Sequence, residues 1–483
     1  MKSNTIVLAI LILMVLFLLA ACGSKDESVS TAGVQTSQSE KAEFSELTDE
    51  QIENIVRRSY QYVALYNVIN KFTMDPNNPA KTGWNNCIAD TQLKDHNLKA
   101  IARPNNDTLY ISCGLDLRND AVILVMPAFS SNYASLMTFS YDHYVGVPLT
   151  TRKGDFKQPE KILFYTKRTE GYQGEPVEGV DHIIEMSGDF SGAAFRVMPH
   201  ASDPDRFNKV LAEMKSLKLL TLSEFKGGKA KPRGEVTFPE FGKTDADVFG
   251  ANLLEVMQFM FNHLTFEPND EIDQAILAAY KPLGIEPGKT FDASEVAQID
   301  GSRFREVSQQ IQKRKFEVLT SGTFSDYASR ILRPKGETDL EALLLVSVVG
   351  PIGLPLEEAT YPAVSTVDGK SMNAMHDYVV RMTKDQLPPA QAFWSLTLYD
   401  LQHGFFIPND RKKYSVGENA GMKLNADGGI EIYIAAEKPE GVPEENWLPI
   451  NRKDENLDMI MRIYVPDLEK LKTWSPPKAE LLK

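Results

Sequence analysis

From residue 103 to about residue 200 the chain is cut into short runs of alternating polar and apolar residues, separated by Pro-, Gly- and Asn-rich turns. That pattern leaves little choice but short strands in an antiparallel sandwich or barrel. Strand-like segments fall at Leu109 to Asp116, Ala121 to Met126, Tyr133 to Tyr144, Lys161 to Lys167, His182 to Met186 and Ala193 to Met198. In the first, Leu109, Ile111, Cys113 and Leu115 share one face, and Tyr110, Ser112, Gly114 and Asp116 share the other. Thr138, Ser140, Asp142 and Tyr144 line one face of another, either as a solvated outer face or as one wall of a polar cleft.

The turn that opens the first strand, Arg103-Pro104-Asn105-Asn106-Asp107-Thr108, draws the most interest. Pro104 fixes its own φ and pushes Arg103 toward extended geometry, while the Asn and Asp side chains bond their own backbone. Such a turn sits at the rim of a sheet, where binding groups project, although the same residue types stitch turns together.

Elsewhere the period is helical. Thr48 to Gln51 forms a capping box with Leu47 and Ile52 as its staple, ahead of Ile55, Val56, Val63 and Ile69. Asp203-Pro204 opens a second helix, and helical patterns recur at 245–264, 269–280, 294–319 and 340–349. Strands return at Ala392 to Asp400, at an expected hairpin over Leu424 to Ile434, and at Met459 to Pro466. The fold class expected is mainly β with a helical layer, two antiparallel sandwiches joined by helices. Internal repeats are not evident.

At the start, Lys2 precedes an apolar run, Ile6 to Leu19, which is followed by Leu19-Ala20-Ala21-Cys22. This resembles the lipobox of bacterial lipoproteins, which implies cleavage before Cys22, lipidation of its thiol and a membrane as partner in the cell envelope. Residues 24–43 read as a disordered tether. Cys87 and Cys113 then remain, either paired or as two buried thiols. The expected division is 1–21 signal peptide, 22–44 tether, 45–202 first sandwich with its leading helix, 203–360 helical connection, 361–472 second sandwich and 473–483 tail.

Arg103-Pro-Asn-Asn-Asp-Thr-Leu-Tyr, with Asp116-Leu117, Val125-Met126-Pro127, Tyr133 and Asp142, resembles a bacterial envelope module known as domain of unknown function twelve fifty-four. Ala392-Phe-Trp-Ser-Leu-Thr-Leu-Tyr-Asp, Pro408-Asn409, Asn446-Trp447-Leu448-Pro449 and Arg462-Ile463-Tyr464-Val465-Pro466 resemble its usual partner, twelve fourteen. The resemblance implies two jelly-roll-like domains bridged by helices and often assembled as oligomers, so a homo-oligomer is among the expected partners. It implies no established activity. Gly146-Val147 departs mildly from the family pattern.

The net charge of −14 and the lack of a basic run argue against nucleic acid as a partner. There is no nucleophile elbow, no His-Glu-x-x-His, no phosphate loop and no dinucleotide fingerprint, and the seven histidines are scattered, so neither cofactor nor metal is expected. Two functions are open: binding of glycan or another small molecule, or hydrolysis of glycan, amide or ester substrates by carboxylates. Asp107 and Asp142 are the catalytic candidates, and Arg103, Asn105, Asn106, Thr108, Tyr144 and Trp394 are the candidates for binding.

Overall fold

The computed structural model describes residues 46–78, 80–99, 102–320 and 323–482. Cys22 and the lipobox lie outside them. Helix α1 (Asp49–Thr73) starts on the expected capping box, Thr48 Oγ1 accepting from the Gln51 amide. It is buried on nearly every face, so that Ser59, Gln61, Asn67 and Asn70 are enclosed with the apolar residues.

The first module contains β1 (Asn86–Asp90), β2 (Leu109–Asp116), β3 (Val122–Met126), β4 (Ala134–Ser140), β5 (Val145–Thr150), β6 (Glu160–Tyr165), β7 (His182–Glu185), β8 (Phe190–Val197), α2 (Pro204–Ser216), β9 (Lys218–Thr221) and α3 (Leu222–Phe225). Its sheets run β1-β2-β8-β4-β5 and β7-β6-β3-β9. Between them Ile111, Leu115, Leu124, Leu136, Ile162 and Phe195 form a core, as the alternation of β2 requires. The expected boundary at residue 202 is too early. β9 pairs with β3, and Val210 and Met214 of α2 enter the same core, so the module runs on through the helix to α3.

The helical layer comprises α4 (Asp245–Ala251), α5 (Leu253–His263), α6 (Glu271–Tyr280), α7 (Gly301–Thr320) and α8 (Leu340–Val349). The single helix expected over 245–264 is broken at Asn252, which ends α4 and begins α5. The second module adds β10 (Ala359–Thr360), β11 (Met372–Asn373), β12 (Tyr378–Met382), β13 (Ala390–Asp400), β14 (Ser415–Gly417), β15 (Ile430–Ala435), β16 (Trp447–Pro449), β17 (Asn456–Pro466), α9 (Leu468–Leu471) and β18 (Ala479–Leu481). Residues 473–483 are not merely a tail, because β18 pairs with β12 and Ala479 is buried. The expected hairpin at 424–434 is not formed. Asn425 to Gly429 do turn, but β15 pairs with β12 and, in parallel, with β16.

The second module's sheets run β10-β17-β13-β14 and β16-β15-β12-β18. Replacing β2, β3, β4, β5, β6, β7, β8 and β9 in turn by β10, β12, β13, β14, β15, β16, β17 and β18 converts one module's strand orders into the other's, with only the flanking strands β1 and β11 left without a counterpart. Even the single parallel pair recurs, β6 with β7 and β15 with β16. The chain is therefore two jelly-roll-like sandwiches of one topology joined by helices, a repeat of fold that no sequence period announces.

Candidate functional site

The turn at 103–108 is buried in the seam between the modules. Arg103 adopts a left-handed φ of 51°, not the extended geometry expected before Pro104, and its Nε donates to Asp458 Oδ2 at 2.6 Å. Its amide donates to the Gly404 carbonyl at 2.6 Å, which holds the turn in that conformation. Asn105 Oδ1 accepts from the Asp107 amide at 2.7 Å, as an Asx-type turn should. Its Nδ2 faces Tyr464 OH at 2.8 Å, Tyr110 OH at 3.0 Å and Thr108 Oγ1 at 3.1 Å. Asn106 is buried with Oδ1 unpartnered.

Asp107 Oδ2 accepts from the Ser395 hydroxyl of β13 at 2.5 Å. Burial raises the Asp107 carboxyl above the ordinary carboxylate range, with Arg462 pulling against it. Arg462 itself is 2% exposed. It donates to Thr397 Oγ1 at 2.8 Å and to the carbonyls of Arg103 and Pro104 at 3.1 and 3.3 Å. Trp394 does not stand beside this turn: it is 4% exposed, inside the core between the second module's sheets, where it has no face for a ligand.

Asp142 lies elsewhere. Register places Leu109 level with Val197 and Ala134 at one end of the sheet, and Leu115 level with Ser191 and Ser140 at the other. Asp107 precedes the first level and Asp142 follows the second, so about 20 Å or more of strand rise separates them. Two carboxylates dividing one glycosidic bond stand about 5 to 10 Å apart. Asp107 and Asp142 do not form such a pair.

Around Asp142 a different site is assembled. The expected strand stops at Ser140, with Asp142 and Tyr144 in the turn to β5, and its polar residues are not solvated: Thr138, Ser140, Asp142 and Tyr144 are all buried. A cleft of about 360 Å³ opens beside them, lined by Thr138, Ser140, Tyr144, Ser187, Thr265 and Lys335 among others. A Cβ on Gly146 would come within 2.9 Å of Thr138 Oγ1, so the glycine that departs from the family pattern lets β5 close against this wall. His143 takes a left-handed φ of 63° and is locked from behind, Nδ1 accepting from Ser347 at 2.6 Å and Nε2–H donating to the Pro351 carbonyl at 2.8 Å. Burial lowers its pKa to about 4, so it is a neutral fixture that aims its neighbours.

Lys335 reaches over the Tyr144 ring at 4.9 Å and donates to Asp273 Oδ2 at 2.6 Å and to the Thr265 carbonyl at 3.3 Å. Burial opposes its charge, but the Asp142 and Asp273 carboxylates hold its pKa above the usual lysine value. Both carboxyls are themselves raised by burial, with Lys335 opposing. Behind this layer the Gln61 amide donates to the Asp142 carbonyl at 2.8 Å. Gln61 Oε1, Tyr62 OH, both Asp142 carboxylate oxygens, Tyr144 OH and Asp273 Oδ1 are buried without a hydrogen-bond partner. Ser187 and the Tyr144 amide act on the Asp142 carboxylate without completing hydrogen-bond geometry.

The sequence pattern pointed to Asp142 and Tyr144 and missed Gln61, Tyr62, Asp273 and Lys335. Gln61 is a polar residue on a helix buried all round, which only the tertiary packing reveals. Lys335 sits between Pro334 and Gly336 with no motif to mark it. Among the described residues no group of three His, Cys, Asp or Glu side chains is placed to hold a metal ion.

Two sandwiches of one topology, bridged by helices and sealed by a turn of the first in the sheet of the second, define the class of protein. Models described as "Protein of unknown function (DUF1254)" and "Protein of unknown function (DUF1214)" match residues 84–219 and 357–468, and the chain belongs to the family that pairs them. The crystal structure of the VPA0106 protein from Vibrio parahaemolyticus is similar at a TM-score of 0.68 and 22% identity, over 89% of this chain and 100% of that one. That likeness is one of fold. An uncharacterized protein from Burkholderia cenocepacia aligns over 90% of this chain and 94% of its own at 14% identity, with a TM-score of 0.37 that carries no argument. No curated protein matches the chain.

Proposed function

We propose that the protein binds a small, hydroxyl-rich ligand such as a sugar unit in the Lys335 cleft. The observation that carries this reading is the six buried, unpartnered polar atoms of Gln61, Tyr62, Asp142, Tyr144 and Asp273 gathered around Lys335. Leaving buried polar groups unmet costs about 1 to 3 kcal/mol each; Tyr144 and Lys335 line the cleft and the other groups stand behind them, so the polar wall they make together favours a polar ligand there. Most are acceptors, and two carboxyls face one ammonium, so a ligand rich in O–H donors fits better than an anion.

Calorimetric titration of the purified chain with N-acetylglucosamine, glucose and their short oligomers tests this. Saturable binding weakened about tenfold or more by Tyr144→Phe is expected, from loss of a hydrogen bond in a charged setting. Absence of saturable binding to any of them, or binding indifferent to Tyr144→Phe, overturns the proposal.

Hydrolysis is a second reading, favoured by the raised pKa of Asp142, the property of a general acid. It predicts turnover of a glycan, amide or ester substrate that disappears in Asp142→Asn, and binding without turnover rejects it.

We further propose that the protein is tethered to the cell envelope through a lipid on Cys22. Cys87 and Cys113 support the address: they face each other across the β1–β2 ladder, Cα atoms 4.1 Å apart, as a disulfide, and disulfides persist outside the reducing cytosol. Cys22→Ser is expected to release the chain from membranes and abolish fatty-acid labelling. Labelling that persists in the variant refutes it.

A further inference from the structure

The common topology of the modules matches one short row of residues in each. On the first sheet, register sets Tyr110, Arg196 and Ser135 side by side across β2, β8 and β4. On the second, Arg462 stands opposite Ser395 across β17 and β13, and Tyr361, one step beyond the pairing of Thr360 with Ile463, falls level with Arg462. Both rows face the seam.

They differ in how the arginine is compensated. In the second row a carboxylate is present: Asp107, delivered by the first module's turn, accepts from Ser395 and, from beyond ion-pair distance, offsets the charge of Arg462. The residue in the matching position for the first row is Glu358, three before Tyr361 as Asp107 is three before Tyr110. Glu358 is engaged elsewhere, accepting from Arg152 Nε at 2.7 Å and from Thr150 Oγ1 at 2.8 Å.

Arg196 is thus left with a charge and no anion. It is 4% exposed, and among the described residues no carboxylate lies within ion-pair distance of it. Its contacts are Met137 Sδ at 3.9 Å and the Tyr110 ring at 5.6 Å. Tyr110, Tyr361, Tyr133 and Tyr464 surround its guanidinium. The hydroxyls of Tyr110 and Tyr464 accept from Asn105, and that of Ser135 accepts from Tyr133 at 3.1 Å, so each keeps a proton to donate. Donors converge on a buried cation with nothing to receive them. Buried charges are ordinarily paired.

We propose that Arg196, Ser135, Tyr110 and Tyr361 form a receptor for the carboxylate of a small monocarboxylic acid, seated in the first row as Asp107 is seated in the second. One uncompensated cation calls for a monoanion, and phosphate as a dianion would overshoot it. Phe393, Tyr464 and Tyr133, buried with ring centroids 4.1 to 5.8 Å apart, make the surroundings of the row apolar. Half-buried Tyr110 marks the side nearest solvent.

The test is thermal unfolding of the full chain titrated with sodium acetate and sodium benzoate, against acetamide and benzamide at matched ionic strength. A saturable rise in Tm with at least one acid, absent with its amide, is expected. Arg196→Met should abolish that rise, and Tyr361→Phe should weaken the apparent affinity about tenfold. Equal responses to acid and amide, no saturable response to either acid, or a response surviving Arg196→Met overturns the proposal. Should Arg196→Met not fold, an unchanged affinity in Tyr361→Phe overturns it and a weakened one sustains it.

Discussion

Asp142 is a carboxyl buried with no donor completing a bond to it, so burial raises its pKa and the folded chain holds its proton more tightly than the unfolded one. The consequence for stability has a definite sign. A folded-state pKa above the unfolded value near 4 means that the native state holds the proton more tightly; that contribution is full below about pH 4 and is lost as pH rises through the raised value. A carboxamide in the same place would carry no charge to bury. Urea midpoints of Asp142→Asn measured against the native chain from about pH 4 to pH 7 are therefore expected to diverge in the variant's favour as pH rises. A difference independent of pH would show that the carboxyl ionises freely in the folded protein. Lys335 shares the site, and its ion pair with Asp273 survives the substitution.

At the scale of elements, capping and alternation were legible where the cause is local. Thr48 caps α1 and Asp203 caps α2 because those side chains reach amides three residues on. Ile430, Ile432 and Ile434 point inward because a strand alternates whatever its partner. The partner itself is not local, and for that reason the expected hairpin gave way to two pairings of β15, with β12 and with β16. The Cys87–Cys113 bridge belongs to this scale too. It joins an edge strand to its neighbour across a sequence separation of 26, for which chain-entropy reasoning assigns about 3 kcal/mol. Cys87→Ser is expected to lower unfolding stability by about that amount under non-reducing conditions. An unchanged urea midpoint would mean that the bridge is not formed in solution.

Across the whole molecule, one apolar cluster runs from Val56 and Tyr66 of α1 through Met137 of β4 and Leu344 of α8 to Phe393, Tyr399 and Tyr464 of the second module. The turn at 103–108 is bound to the second module by Arg103–Asp458, Asp107–Ser395 and the Arg462 contacts. Modules joined in this way should not melt apart. Calorimetry of the full chain is expected to give one endotherm with equal calorimetric and van't Hoff enthalpies, and two resolved endotherms would contradict the continuous core.

The amino-acid sequence by itself determined the kinds of element, the caps and turns that bound them, the family motifs and the division into two β modules around a helical layer. Those follow from interactions within a few residues and from side-chain periodicity. Only the tertiary structure decided where the modules end, that both share one strand order, that Asp107 enters the seam while Asp142 is buried behind the Lys335 cleft at the far end of the sheet, and that Arg196 and Arg462 stand in matching rows. Each of these depends on pairing between strands far apart in sequence, and a one-residue change of register would turn every side chain of a strand to the opposite face.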